Sequence, residues 1–222
     1  MSEIWQDIPT WDNGEWINTS FETKEEFIKY IELDLFKEPG KYNFNKDSLN
    51  FREQAQKFEE TNVYCTAPFK SKDFINYWDA EKRKCRKGVI FKSKGVEWYI
   101  TRDYYMWLNF LPIYDKERSK FGFAKIRDAQ YHMALYELAA ELNNKHVAIL
   151  KKRQIASSYF HAAKLINQVW FEEGPTCKIG ASLKDYINEK GTWKFFDEYG
   201  AFLNEHTAWY RPCNPLDRDW ET

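Results

Sequence analysis

Glycine and proline are scarce, 9 and 7 among 222 residues, which excludes collagen-like, linker-like and low-complexity chains. No run of about 18 apolar residues occurs, so no membrane-spanning helix is expected. Neither sign of charge dominates: 33 Lys+Arg stand against 34 Asp+Glu, for a net charge of -1. That excludes a protein that coats nucleic acid by bulk charge, but not a local basic patch. The four cysteines, Cys65, Cys85, Cys177 and Cys213, form no C-x-x-C pair. His132, His146, His161 and His206 show no zinc-site spacing. Free thiols in a reducing compartment are therefore expected. The opening Met-Ser-Glu-Ile-Trp-Gln-Asp lacks the apolar centre of a secretory signal. G-x-S-x-G, H-E-x-x-H and G-x-G-x-x-G are absent, and Cys177 has no evident His partner for nucleophilic catalysis.

Aromatic residues are plentiful, at 18% with 10 Trp, which points to large anchors in a core or an interface. Apolar residues at 43% and charged residues at 30% exclude compositional disorder. The length allows one large domain, or a domain plus an extension, with ample chain for a core.

The first 20 residues read as irregular. Ser20 followed by Phe21 to Phe27 reads as a helix start, with Phe27, Ile28, Ile31 and Leu35 as its apolar stripe and Glu38-Pro39-Gly40 as its stop. A second helix is expected over 48–60, a hairpin of short strands over 87–100, and an aromatic helix over 101–110. The 3.6-residue recurrence of Ile126, Gln130, Met133, Ala134, Leu138 and Leu142 predicts a helix over 126–143. His146-Val147-Ala148-Ile149-Leu150 has the continuous apolar character of a doubly buried strand. A helix over 159–171 and a strand over 176–181 would complete a βαβ unit with a parallel sheet. Residues 182–203 read as helix broken at Gly191, and 209–222 as an aperiodic tail.

The loop between that strand and helix carries the chemistry. A strand that ends in a loop opening a helix aims main-chain amides and the helix dipole at one point, where anions bind. Lys151, Lys152 and Arg153 add positive charge there, and Ser157 and Ser158 sit where a helix cap or a Mg²⁺-binding hydroxyl would sit. The usual G-x-x-x-x-G-K-[ST] is not met: the leading Gly is missing, Ala156 replaces the second Gly, and Ser157 replaces the Lys. The same residues also suit a plain solvated loop. Gln130, about 20 residues upstream, carries an amide that can read an adenine edge, or that can simply sit on a helix face.

With these residues in place, the chain resembles the N-terminal part of the large terminase subunit of tailed phages, the motor ATPase that packages DNA. In that family a glutamine motif precedes a deviant Walker A whose lysine moves to the start of the loop. Leu150-Lys151-Lys152-Arg153-Gln154-Ile155-Ala156-Ser157-Ser158-Tyr159 is similar to that variant. Tyr77-Trp78-Asp79-Ala80-Glu81 through Cys85 to Gly88, and Tyr105-Met106-Trp107-Leu108-Asn109-Phe110, resemble the lead-in of terminases from phages of Bacteroidetes-type hosts. The likeness spans about residues 70–185.

The resemblance implies ATP and Mg²⁺ as cofactors. It places nucleotide contacts on Gln130 and on the loop Lys151, Lys152, Arg153, Gln154, Ile155, Ala156, Ser157 and Ser158. Lys151 falls on the displaced lysine, Ser158 on the Mg²⁺ hydroxyl, Gln130 on the adenine contact, and Arg153 on a catalytic role stabilising charge at the γ-phosphate. It implies double-stranded DNA, a portal protein and a small terminase subunit as partners, a ring homo-oligomer on the portal, and the cytoplasm of an infected bacterial host. The expected fold is α/β: a P-loop NTPase-like partial parallel sheet over about 120–222, preceded by an α-rich, aromatic N-terminal region with a small β-hairpin. The expected domains are a lead-in or lid over 1–115 and the first part of the ATPase over 116–222.

Ala156 departs from the family's Gly, and its methyl crowds a turn that needs positive φ. The strand-borne hhhhDE and the acidic nuclease cluster of the family are missing from these residues. Phe195-Phe196-Asp197-Glu198 imitates the former, but Lys194 breaks its apolar run, so a surface helix is expected. Asp217, Asp219 and Glu221 follow two prolines and read as a solvated tail. The alternative is therefore a truncated, non-hydrolysing terminase-like module that binds DNA or another partner. The basic run Lys82 to Lys87, beside aromatics, suits contact with a nucleic-acid backbone or a solvated basic turn.

Overall fold

The computed structural model describes residues 3–38, 51–93, 95–115, 120–151, 155–172, 175, 177–180 and 191–209. The fold is α/β, with seven helices and a mixed four-stranded sheet among them.

The sheet lies in the N-terminal half. Strands β1 (Ile8–Asp12) and β2 (Glu15–Thr19) pair antiparallel, and β1 also pairs in parallel with β3 (Val89–Ser93), with Trp11 opposite Phe91. Strand β4 (Val96–Ile100) closes the order β2-β1-β3-β4. Residues 8–19, within a stretch expected to be irregular, are thus a hairpin. Its turn is Asn13-Gly14 at φ 46 and 118, both left-handed, as a tight two-residue hairpin turn requires. The β3–β4 hairpin stands where the sequence places it.

Helix α1 (Lys24–Asp34) starts later than Ser20, because Thr23 caps it and accepts from the Glu26 amide at 3.1 Å. Its buried stripe is Phe27, Ile28 and Ile31. Helix α2 (Glu53–Thr61) follows. Helix α3 (Lys72–Lys87), capped by Ser71, carries the basic run, which is therefore helical rather than a turn. Lys84 and Lys87 of that run are buried, whereas Lys82, Arg83 and Arg86 are exposed.

Helix α4 (Arg102–Phe110) occupies the centre, with every residue from Asp103 to Phe110 buried. It packs against α2, α3, helix α5 (Asp128–Leu142), helix α6 (Ser157–Phe171) and the hairpin of β5 (Pro112–Asp115) and β6 (Lys120–Phe123). Helix α7 (Thr192–His206) lies on α6, with Gly191 as its N-terminal flank. Phe195 to Glu198 lie within α7, so the Walker B imitation is helical. Cys65, Cys85 and Cys177 are free thiols. Residues 182–190, Cys213, Asp217, Asp219 and Glu221 lie outside the described residues.

One expectation is overturned. Residues 146–150 and 177–180 belong to no strand, so the parallel sheet over 120–222 and its βαβ unit are not formed among the described residues. The reason is physical: an apolar run becomes a strand only when another chain segment meets its main-chain donors and acceptors. Here no described segment does. Val147, Ile149 and Leu150 stand exposed, Leu150 fully. The four-stranded sheet is built instead from residues between 8 and 100, with β1 and β3 as its parallel pair.

Gly88 joins α3 to β3 at φ 77, where a Cβ would lie 2.5 Å from the Ile100 carbonyl oxygen and 2.6 Å from the Tyr99 hydroxyl. Backbone strain and overlap act together there. Gly88→Ala is expected to cost about 3 kcal/mol or more in urea unfolding, and an unchanged midpoint would show that the turn relaxes freely.

Candidate functional site

An open cleft of about 660 Å³ lies where α5, α6 and the segment 145–151 meet. Its walls include Lys151, Ser157, His161, Lys164, Glu137 and Glu141. Helix α6 supplies three of these at positions 157, 161 and 164, one helical face by their spacing. Helix α5 supplies Glu137 and Glu141 in the same way.

Ala156, the residue before α6, has φ 57 and ψ 24. That is the left-handed conformation which the sequence reading assigns to a position favouring Gly. It turns the chain abruptly into the helix and leaves the amides of the first turn without intrahelical carbonyls. The first helical bond there runs from the Phe160 amide to the Ala156 carbonyl at 3.1 Å.

A polar network runs from this helix start into the core. Ser157 Oγ lies 3.1 Å from His161 Nδ1, and His161 Nε2 lies 2.8 Å from Glu137 Oε1. Lys164 Nζ donates to Glu137 Oε2 at 3.1 Å and pairs with Glu141 Oε2 at 3.4 Å. Arg102, at the start of α4, meets Glu141 at 2.9 Å and also pairs with Glu172. Burial opposes charge on Glu137, yet the His161 hydrogen bond and the Lys164 ammonium hold its carboxyl below the usual range. Burial likewise works against the Lys164 ammonium, but Asp103, Glu137 and Glu141 hold its pKa above normal. Arg102 is treated the same way, with Asp103 the largest support for its charge.

Sequence-chosen residues fall unevenly around this cleft. Lys151 lines it. Ser157 lines it and is buried, whereas Ser158 is exposed and is not among the lining residues. Gln130 is buried on α5, and its Nε2 donates to the Ile155 carbonyl at 3.0 Å, so it contacts the loop itself. Gln130 Oε1 has no hydrogen-bond partner among the described residues. Lys152, Arg153 and Gln154 lie outside the described residues. No motif in the sequence singles out His161, Glu137 or Lys164. Their one legible signal was spacing: His161 follows Ser157 by four residues, and Glu141 follows Glu137 by four.

A cleft with lysines on its rim and a helix N-terminus at its base suits an anion, phosphate above all. Among the described residues no group of three or more His, Cys, Asp or Glu could hold a metal ion by itself. No described helix is long and apolar enough to cross a membrane. No family model, curated protein or solved structure matches the chain.

Two predictions follow from local geometry. Ala156→Gly removes the left-handed strain of an alanine and is expected to raise stability by up to about 1 kcal/mol; a lower thermal midpoint would mean that the turn is not strained. Burial raises the Asp103 carboxyl to about 6, against the opposing pull of Arg102. A carboxyl raised by folding contributes its stability below its unfolded value and loses it as pH climbs through the folded value. Asp103→Asn is thus expected to gain stability relative to the parent between about pH 4 and pH 7, read by urea titrations at both ends. Parallel titrations would refute the assignment.

Proposed function

We propose that this chain is the N-terminal ATPase region of a viral DNA-packaging motor, the terminase large subunit, and that it holds the phosphates of MgATP in the cleft at the start of α6. The observation that carries this reading is that Lys151 and Ser157, the first residue of α6, line one cleft, while Gln130 binds the main chain of the same loop at Ile155. The order glutamine, basic loop, hydroxylic helix start is the order that the resemblance implies.

Each residue has a definable part. Lys151 neutralises phosphate charge at the rim. The amides of Ser157, Ser158 and Tyr159 offer donors that the helix does not use. Lys164, fixed between Glu137 and Glu141, presents an oriented ammonium. Gln130 braces the loop through Nε2, and an adenine contact is assigned to it by resemblance. Arg153 is assigned the stabilisation of charge at the γ-phosphate, by resemblance. Bound ATP supplies the phosphoanhydride whose cleavage drives transport. Duplex DNA is the transported polymer, with the portal, the small subunit and a ring of copies as partners in the host cytoplasm.

A non-hydrolysing DNA-binding module is the second reading, favoured by the exposed Lys82, Arg83 and Arg86 on one end of α3. Duplex binding that falls steeply with salt and ignores nucleotide would select it.

Lys151→Ala removes one charge-assisted phosphate contact and is expected to weaken ATP binding about tenfold or more, read by displacement of a fluorescent ATP analogue. Unchanged binding would remove Lys151 from the site. Failure of the parent chain to bind ATP at all would remove the nucleotide reading.

A further inference from the structure

The chain Ser157–His161–Glu137 carries chemistry that phosphate binding does not use. A carboxylate accepts and cannot donate, so in neutral His161 the hydrogen sits on Nε2, facing Glu137 Oε1 at 2.8 Å. Nδ1 is then left as the acceptor for the Ser157 hydroxyl at 3.1 Å. Nucleophile, base and orienting carboxylate thus stand in the order that activates a serine, with the two ring nitrogens exchanged relative to the common arrangement. The lysine pair to Glu137 keeps that carboxylate charged and fixed.

The surroundings suit the same step. Ser157 is the first residue of α6, beside amides with no helical partner, which can stabilise charge growing on an attacked group. It opens on the 660 Å³ cleft rather than on a sealed core. Lys145, Lys151 and Lys164 also line that cleft, which favours a phosphate-bearing substrate over a neutral acyl ester.

We propose that Ser157 is a phosphoryl-accepting nucleophile, that His161 is its general base with Glu137 positioning the imidazole, and that the donor is a phosphate ester or anhydride. Ser157 Oγ bonds to phosphorus as the bond from phosphorus to the leaving oxygen breaks. The electron pair leaves with that oxygen, and the hydroxyl proton passes to His161 Nδ1 and on to the leaving group. Water then attacks the phosphoserine, the Oγ–phosphorus bond breaks, Oγ regains a proton through His161, and inorganic phosphate departs. The inference rests on the phosphate-binding reading only for the class of donor; the nucleophile stands on its own geometry.

The test uses a fluorophosphonate, whose fluoride an activated serine displaces, on the folded full chain, with the adduct located by peptide mass spectrometry. An adduct on Ser157 is expected, absent in Ser157→Ala. His161→Ala should slow it about 100-fold, and added imidazole should restore part of the rate, which a structural role would not allow. Glu137→Gln should slow labelling about tenfold in the parent and not at all in the His161→Ala background, the signature of a residue acting through the imidazole. No adduct on Ser157, or one formed equally fast without His161, overturns the proposal. γ-Labelled MgATP is the second probe. Label on Ser157 supports a nucleoside triphosphate as donor. ATP that binds without labelling Ser157 overturns ATP as donor. An adduct in a chain that binds no ATP sinks the nucleotide reading and leaves this one standing.

Discussion

Helix α4 has no solvated face beyond Arg102, and the rest of the structure depends on that. A helix covered on all sides must satisfy each polar group internally, since an unpaired buried group costs about 1–3 kcal/mol. Asn109 meets that demand, whereas Asp103 Oδ1 in the same helix has no hydrogen-bond partner among the described residues. Asn109 Nδ2 donates to the carbonyls of Phe51 and Tyr105 at 2.8 and 3.0 Å, and its Oδ1 accepts from the Gln54 amide at 3.1 Å. One side chain thereby fixes where α2 begins. Tyr105 donates to Glu81 at 2.7 Å, and Trp107 donates to Tyr199 at 3.1 Å, so α3 and α7 are placed by the same helix.

The cleft inherits its geometry from this arrangement. Arg102 starts α4 and grips Glu141 and Glu172, Glu141 grips Lys164, and Lys164 grips Glu137. Ion pairs of this kind, with Glu141 and Glu172 part-exposed, contribute little net stability, because solvent screens the attraction and ordering the side chains costs entropy. Their consequence is orientation: each side chain is held from two sides, so the rotamers around Ser157 and His161 are few. Asn167, reaching from α6 to the Cys85 carbonyl at 2.7 Å, fixes α6 against the end of α3. The runs Tyr77 to Gly88 and Tyr105 to Phe110 thus meet in the core through Tyr105–Glu81 and serve the fold, and neither lines the cleft.

Much of the fold was legible locally. Helices with a 3.6-residue apolar recurrence, such as α1 and α5, need only their own sequence to be recognised, and the β3–β4 hairpin carries its own turn. The β1–β2 hairpin was equally local, signalled by Asn13-Gly14, but its aromatic and polar residues hid the alternation. The site was legible by half. Lys151 and Ser157 were visible as a basic loop running into a helix start. Glu137 and Lys164 were not, because their partners lie 24 or more residues away or on another helix.

By itself the sequence determined that helices lie in the neighbourhoods of α1, α4, α5 and α6, that the chain has an aromatic core, and that residue 156 asks for a left-handed turn; it determined neither the start of α1 nor the existence of α3. What it determined follows from contacts within a few residues. Only the tertiary structure decided which apolar segments became strands: Ile8–Asp12 found partners in Glu15–Thr19 and Val89–Ser93, whereas His146–Leu150 found none among the described residues. A helix satisfies its main chain internally, whereas a strand satisfies it only through a neighbour, so helix is readable from one segment and sheet is not. For the same reason the serine, histidine and carboxylate became a site only when α5 and α6 were laid side by side.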